Sequence, residues 1–166
     1  MLVAFVDECK SGNFSLGITL VHVRDLKLVR SELRKLRKPG QNRLHFSKES
    51  DSRRKEILST MRILPVQVFV IESALKHERD AREACLTELV KVSRSLNIHR
   101  IVLEEDQSLV RRDNSVIRSQ LRVLGESHKL DYFHESPNFE PCLWISDAIA
   151  WANQKGGYWR VLAGLA

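Results

Sequence analysis

Three apolar runs in this 166-residue chain end in acids or are interrupted by one. Leu2-Val3-Ala4-Phe5-Val6 runs into Asp7-Glu8, Ile101-Val102-Leu103 runs into Glu104-Glu105-Asp106, and residues 142–152 carry Asp147 as their one charge. Carboxylates delivered by separate elements are a donor set for hard divalent cations, which take oxygen ligands. Two such cations, about 3.5 to 4 Å apart, hold a phosphodiester between them and assist its hydrolysis. The plainer reading is that acids at a strand end mark where the strand reaches water, and that a helical acid meets a basic side chain or a backbone amide.

The elements that would carry these acids are legible in the pattern. Five uninterrupted apolar residues before a turn signal (Ser11-Gly12-Asn13) predict a strand buried on both faces, at the centre of a sheet. Loops and helix ends converge at the carboxyl end of such a strand. Alternation puts Asp7 on the face of Val3 and Phe5, and Glu8 on that of Ala4 and Val6, so only one of them serves a given site. Arg100-Ile101-Val102-Leu103 repeats the design, and alternation alone leaves the choice among its acids open. The segment around Asp147 is apolar on nearly every face of a helix, with Leu143, Trp144, Ala150 and Trp151 one turn away. A carboxylate in that position is costly unless it is paired, protonated or bound to a cation.

Between these points the chain reads as alternating strands and helices. Residues 14–23 form a second strand, joined to the first by a Gly12-Asn13 turn. Residues 24–38 predict an amphipathic helix with Leu26, Val29, Leu33 and Leu36 on its apolar seam, stopped by Pro39-Gly40. Asp51 or Ser52 is expected to cap the next helix, which Pro65 closes. A third strand at 66–71 precedes a long helix over about 77–96, with Ala81, Cys85, Leu89, Val92 and Leu96 as its inner stripe. A fourth strand over 100–106, a helix over about 114–124, a fifth strand over 130–134 and a closing helix introduced by Pro137 and Pro141 complete the order.

Composition bounds the rest. A 43% hydrophobic chain of this length builds one domain, here 1–166, with a substantial core. Cys9, Cys85 and Cys142 are odd in number and widely spaced, which argues against a disulfide framework or zinc ribbon and for a reduced, cytoplasmic setting. No stretch reaches the ~20 apolar residues of a membrane span, so no membrane partner is expected. The net charge of +6 is concentrated: residues 24–55 hold 12 Lys or Arg against four acids, while the remainder of the chain is net −2. A basic patch of this kind attracts a nucleic-acid backbone without reading sequence, and Arg30, Arg34 and Lys35 are its candidates on the predicted helix. A solvated helix surface is the plainer alternative. Oligomeric state is open, a homo-oligomer included.

A hairpin, a third strand, two further α/β steps and a closing helix describe an α/β domain of RNase H-like type. That fold type implies a five-stranded mixed sheet of order 3-2-1-4-5, flanked by helices, here with inserted helices between strands two and three. The chain resembles a bacterial family of uncharacterised proteins with this core. Phe5-Val6-Asp7-Glu8, Leu44-His45-Phe46, Val102-Leu103-Glu104 and Ile145-Ser146-Asp147-Ala148-Ile149-Ala150-Trp151-Ala152 carry the resemblance. It departs from the family at the opening turn, where Cys9-Lys10 separates Glu8 from Ser11-Gly12.

The resemblance implies that Asp7, Glu104 and Asp147 are catalytic and bind Mg²⁺ or Mn²⁺, Asp7 in preference to Glu8 and Glu104 in preference to Glu105. Glu8 and Asp106 remain additional candidates, His45 could orient water or phosphate, and a fourth carboxylate would come from Glu78 or Glu83. The implied function is two-metal hydrolysis of DNA or RNA. The competing reading is a non-catalytic nucleic-acid-binding or protein-interaction module on the same fold.

Overall fold

The computed structural model describes residues 1–125 and 129–165. In chain order the elements are β1 (Leu2–Cys9), β2 (Phe14–His22), a 3-10 turn (Val23–Asp25), α1 (Leu26–Lys35), a second 3-10 turn (Phe46–Lys48), α2 (Asp51–Arg62) and β3 (Val66–Ser73). Then follow α3 (Glu78–Ser95), β4 (Ile98–Glu104), α4 (Val110–Leu124), β5 (Asp131–Glu135), α5 (Cys142–Lys155) and α6 (Gly157–Ala163). The sheet has the expected order β3-β2-β1-β4-β5. β1 is antiparallel to β2 and parallel to β4, so it is the strand at which the sheet changes direction.

Each face of the sheet has its own core. Val3, Phe5, Val21 and Val102 pack with α1, α2, α5 and α6, whereas Ala4, Val6, Leu16, Ile18 and Leu103 pack with α3 and α4. The continuous apolar run of β1 follows from this double coverage, because both of its alternating faces are dry. The β1–β2 turn needs Gly12, whose φ of 67° lies in the left-handed region.

Several boundaries differ from those the pattern predicts. The basic segment is a 3-10 turn followed by a shorter helix, and α1 ends before Pro39. Ser50, not Asp51 or Ser52, caps α2 by accepting from the Arg53 N–H at 3.2 Å, while Asp51 pairs with Arg54 at 2.7 Å. On α3, Ala81, Cys85 and Leu89 face inward as expected, but the stripe continues through Leu86, Val90 and Ser93, and Leu96 is exposed. α3 ends at Ser95, so Leu96 is its C-cap, beyond the last helical residue. β4 starts and ends two residues earlier than expected, leaving Glu105 and Asp106 beyond it. α4 starts four residues earlier, and α6 had no predicted counterpart.

α5 lies across β1 and β2, and its rotation is fixed by buried polar groups. The Ser146 hydroxyl donates to the Phe5 carbonyl at 2.8 Å, so the Thr19 hydroxyl, 2.9 Å away, donates to Ser146. Both side chains are fully buried, which makes the geometry expensive to change. Gly17 lets the helix come this close. A Cβ there would sit 2.4 Å from the Ser146 carbonyl oxygen and 2.9 Å from the Ala150 nitrogen, both backbone atoms. Gly17→Ala is expected to cost about 3 kcal/mol or more by overpacking, read as a lower denaturation midpoint. An unchanged midpoint would mean that α5 can retreat without loss.

Candidate active site

The elements bring Asp7, Glu104 and Asp147 into one cluster. Asp7 sits opposite Gly17 in the β1–β2 register, on the α5 side of the sheet. Phe5 pairs with Val102 across β1 and β4, so Glu104, two residues further along, shares the face of Asp7. Ser146 holds α5 against β1, and Asp147 follows it directly. It is the only residue from 141 to 150 that is not buried.

The electrostatics are those of crowded carboxylates. Burial, first of all, raises the proton affinity of Asp7 well above the ordinary carboxylate value. A side-chain hydrogen bond with Glu104 and the charges of Glu104 and Asp147 push the same way, and Arg43 opposes them. Asp147 is also raised, chiefly by burial, against the pull of the Phe46 N–H, which donates to its Oδ2 at 3.0 Å, and of Arg43 and His45. The short 3-10 turn after His45 is held in place for this contact. Arg54 donates to the Phe46 carbonyl at 3.0 Å and to the Ser47 carbonyl at 2.6 Å, and stacks over Trp151 at 4.4 Å. Leu44 and Phe46 anchor the segment in the core.

Arg43 is the residue that sequence reasoning passed over. Its Nη1 lies 3.5 Å from Glu104 Oε1 and its Nη2 4.0 Å from Asp147 Oδ2. A lone arginine two residues before His45 gave little signal, since Arg43 lies among twelve basic residues of one segment.

Of the other candidates, Glu78 and Glu83 lie away from the cluster, Glu8 faces the other side of β1, and Asp106 and His45 border the cluster. Glu8 points to the opposite face, where it pairs with the buried Arg82 and, at 3.4 Å, with Lys10. Glu78 and Glu83 are exposed on α3, paired with Lys10 at 2.9 Å and Arg112 at 3.1 Å, so the structure brings neither into the cluster as a fourth carboxylate. Asp106 is exposed and turns back on its own loop, accepting from the backbone and hydroxyl of Ser108 at 3.0 and 2.6 Å. Asp106 lines, with Asp7, Glu8, Glu104 and Arg82, a cleft of about 320 Å³ at the carboxyl ends of β1 and β4. His45 is half-buried beside Asp147.

Of the three basic candidates on α1, Arg30 is committed to the buried Glu140 through Nε and Nη2 at 3.1 and 2.6 Å, which removes it from any backbone-tracking face. Lys35 pairs with Glu32 on the surface at 2.7 Å, and Arg34 is exposed. The face opposite the cluster holds a second buried ionic group, unforeseen in the sequence. Arg82 makes a two-pronged contact with the fully buried Asp113 at 2.8 and 2.7 Å, and His134 reaches the same carboxylate at 3.0 Å.

A hard, all-oxygen donor set suits Mg²⁺ or Mn²⁺ by its chemistry, and burial, with the neighbouring carboxylates, raises the proton affinity of Asp7 and Asp147. The spacing is not that of a finished ligand set: among the described residues no group of three or more His, Cys, Asp or Glu side chains is arranged to hold a metal ion. Asp7→Asn should preserve the oxygen that accepts the Glu8 N–H at 2.7 Å while removing the charge. Because the folded-state proton affinity of Asp7 is raised, folding binds a proton, and that stability is lost as pH rises through the folded pKa. In EDTA at neutral pH the variant is therefore expected to melt a few degrees above wild type, with the gap closing toward the ordinary aspartate pKa. A lower melting temperature would reverse the sign assigned to the cluster.

No family model matches the chain, and no curated protein matches it. Among solved structures, a chain of the PCNA:RNase HII complex from Archaeoglobus fulgidus superposes with a TM-score of 0.63 at 13% identity, over 93% of this chain and 73% of the other. With the strand order and the flanking helices, this likeness gives the protein an RNase H-like α/β fold.

Proposed function

We propose that the protein is a divalent-metal-dependent nuclease of the bacterial family its motifs resemble, hydrolysing a phosphodiester by a two-metal mechanism. The observation that carries the reading is the gathering of Asp7, Glu104 and Asp147 from β1, β4 and α5 into one cluster, in which the proton affinities of Asp7 and Asp147 are raised. Asp7, Glu104 and Asp147 would hold Mg²⁺ or Mn²⁺, which when bound supplies an activated water and counter-charge for the leaving oxygen.

The protein's own side chains support the reading around that point. His45, beside Asp147, orients a water or a phosphate oxygen. The approach is basic: residues 34–48 hold six Lys or Arg and no acid, and this stretch leads directly into the cluster. Arg34, Arg37, Lys38 and Lys48 are exposed along it and take over the backbone-tracking role from Arg30. The RNase HII named for the structural neighbour is an enzyme of nucleic acids, which suits a nucleic-acid substrate here. Three free cysteines suit a reducing, cytoplasmic setting.

The competing module reading draws on Arg43, which can neutralise the acids without any metal. Thermal melts and cleavage assays separate the two. Wild type is expected to gain melting temperature with millimolar Mn²⁺ and to cut labelled DNA or RNA oligonucleotides only with Mg²⁺ or Mn²⁺. Asp147→Asn should lose both responses, with cleavage down at least about 100-fold, since losing a direct ligand exceeds the cost of losing an outer partner. It should melt no lower than wild type in EDTA, because burial raises the proton affinity of Asp147 and the amide is neutral at every pH. A large melting loss in EDTA, with no metal response in either protein, would leave the acids structural.

A further inference from the structure

We infer that Arg43 is a built-in counter-cation for the carboxylate cluster, and that a divalent cation binds by displacing it. The inference rests on the metal-site reading above and concerns what sets the affinity of that site.

Among the described residues, several arginines meet buried or half-buried carboxylates, and they do so differently; Arg53, 3.8 Å from Glu49, is also hydrogen-bonded to Glu56 and the Leu36 carbonyl. Arg82 grips Asp113 with two hydrogen bonds of 2.8 and 2.7 Å, and Arg30 grips Glu140 with two of 3.1 and 2.6 Å. Both are two-pronged locks of the kind a guanidinium forms best. Arg43 instead stands between two acids on separate elements, at 3.5 Å from Glu104 and 4.0 Å from Asp147. Among the described residues its side chain makes one hydrogen bond, from Nε to the neighbouring Leu44 carbonyl at 3.2 Å. Arg43 is thus electrostatically useful to the cluster, lowering the proton affinity of Asp7 and Asp147, yet held by no directional bond to any of its acids.

The backbone around it suits displacement. Leu44 and Phe46 are anchored in the core at about 1% exposure each, while Asn42 on the other side is exposed, so the Arg43 side chain can swing outward with its anchor in place. A guanidinium cannot lose its proton at ordinary pH, so the cluster sheds this charge only by moving it. A divalent cation bound by the same oxygens brings twice the charge to closer range, since metal–oxygen distances are about 2.0 to 2.6 Å. The two cations compete for one set of carboxylates. On this account the absence of a preformed ligand set among the described residues and the position of Arg43 have one cause.

Calorimetric titration with Mn²⁺ alone tests this on wild type, Arg43→Gln and Arg43→Lys. Arg43→Gln is expected to bind Mn²⁺ about tenfold tighter and to melt lower than wild type in EDTA, the loss being recovered with Mn²⁺. Arg43→Lys keeps the charge and should stay within about threefold of wild type. Equal or weaker binding by Arg43→Gln, or equal tightening in both variants, overturns the proposal. A second measurement needs no variant: modification of Arg43 by phenylglyoxal, read by peptide mass spectrometry, should increase when Mn²⁺ is added to wild type. No increase at saturating Mn²⁺ overturns the displacement. If Mn²⁺ binds and Asp147→Asn abolishes it while Arg43→Gln changes nothing, this inference falls and the metal site stands. If no protein binds Mn²⁺, both fall.

Discussion

The contact between α5 and the sheet at Gly17 governs what the rest of the molecule can do. A helix normally rests on a sheet through side chains, which keeps the backbones well apart. Here one missing Cβ lets backbone meet backbone, and Ser146 uses that closeness to reach the Phe5 carbonyl. The result is a fixed height and rotation for the next residue, Asp147. Without the glycine the same sequence could still form a helix over a sheet, but its acid would not stand beside Asp7. Positioning a charge to within ångströms over a separation of 140 residues thus depends on an absence of side chain, backed by one hydroxyl pair.

Around that contact the protein keeps two ionic groups with different character on the two faces of β1. On the α3 and α4 side, Arg82, Asp113, His134 and Glu8 form a closed network in which the charges are paired. Buried pairs of this sort add little net stability relative to apolar packing, but removing one partner strands the other. On the α5 side, three carboxylates face one loosely associated arginine, and burial raises the proton affinity of two of them. The first arrangement is complete and the second is in deficit. Neighbouring acids Asp7 and Glu8, adjacent in sequence, are divided between these groups by the alternation of a strand.

How far the sequence disclosed this depended on the length scale of the signal. The two-sided burial of β1 followed from its continuous apolar run, because tertiary packing enforces it along many residues, whereas the strand order came from the RNase H-like succession of elements. The placement of Asp147 followed from a single charge in an otherwise apolar helix. Glu104 could have been chosen over Glu105 on parity alone once the β1–β4 register was known, but register is a property of pairing and leaves no local trace. Helix ends were less legible, as at Ser50, where one side-chain cap decides among neighbouring residues, and at Val110, where no side-chain cap marks the start. Arg30, Glu140 and Arg43 were opaque for a deeper reason. Whether a basic residue is free, locked or loosely associated depends on partners distant in the chain, and periodicity carries no information about those.

The wide separation of Asp7 and Asp147 also has a consequence for biogenesis. Asp147 follows Asp7 by 140 residues, so the carboxylate cluster cannot form until α5 has been made. The central strand must wait, paired with β2 at one edge and with β4 only later, until Ser146 docks on Phe5 and brings the third acid with it. Domains rich in such distant pairings fold slowly, because the closing contacts come after most of the chain entropy has been lost. For a protein whose proposed substrate is nucleic acid, assembly in that order leaves the carboxylates unassembled until α5 has docked.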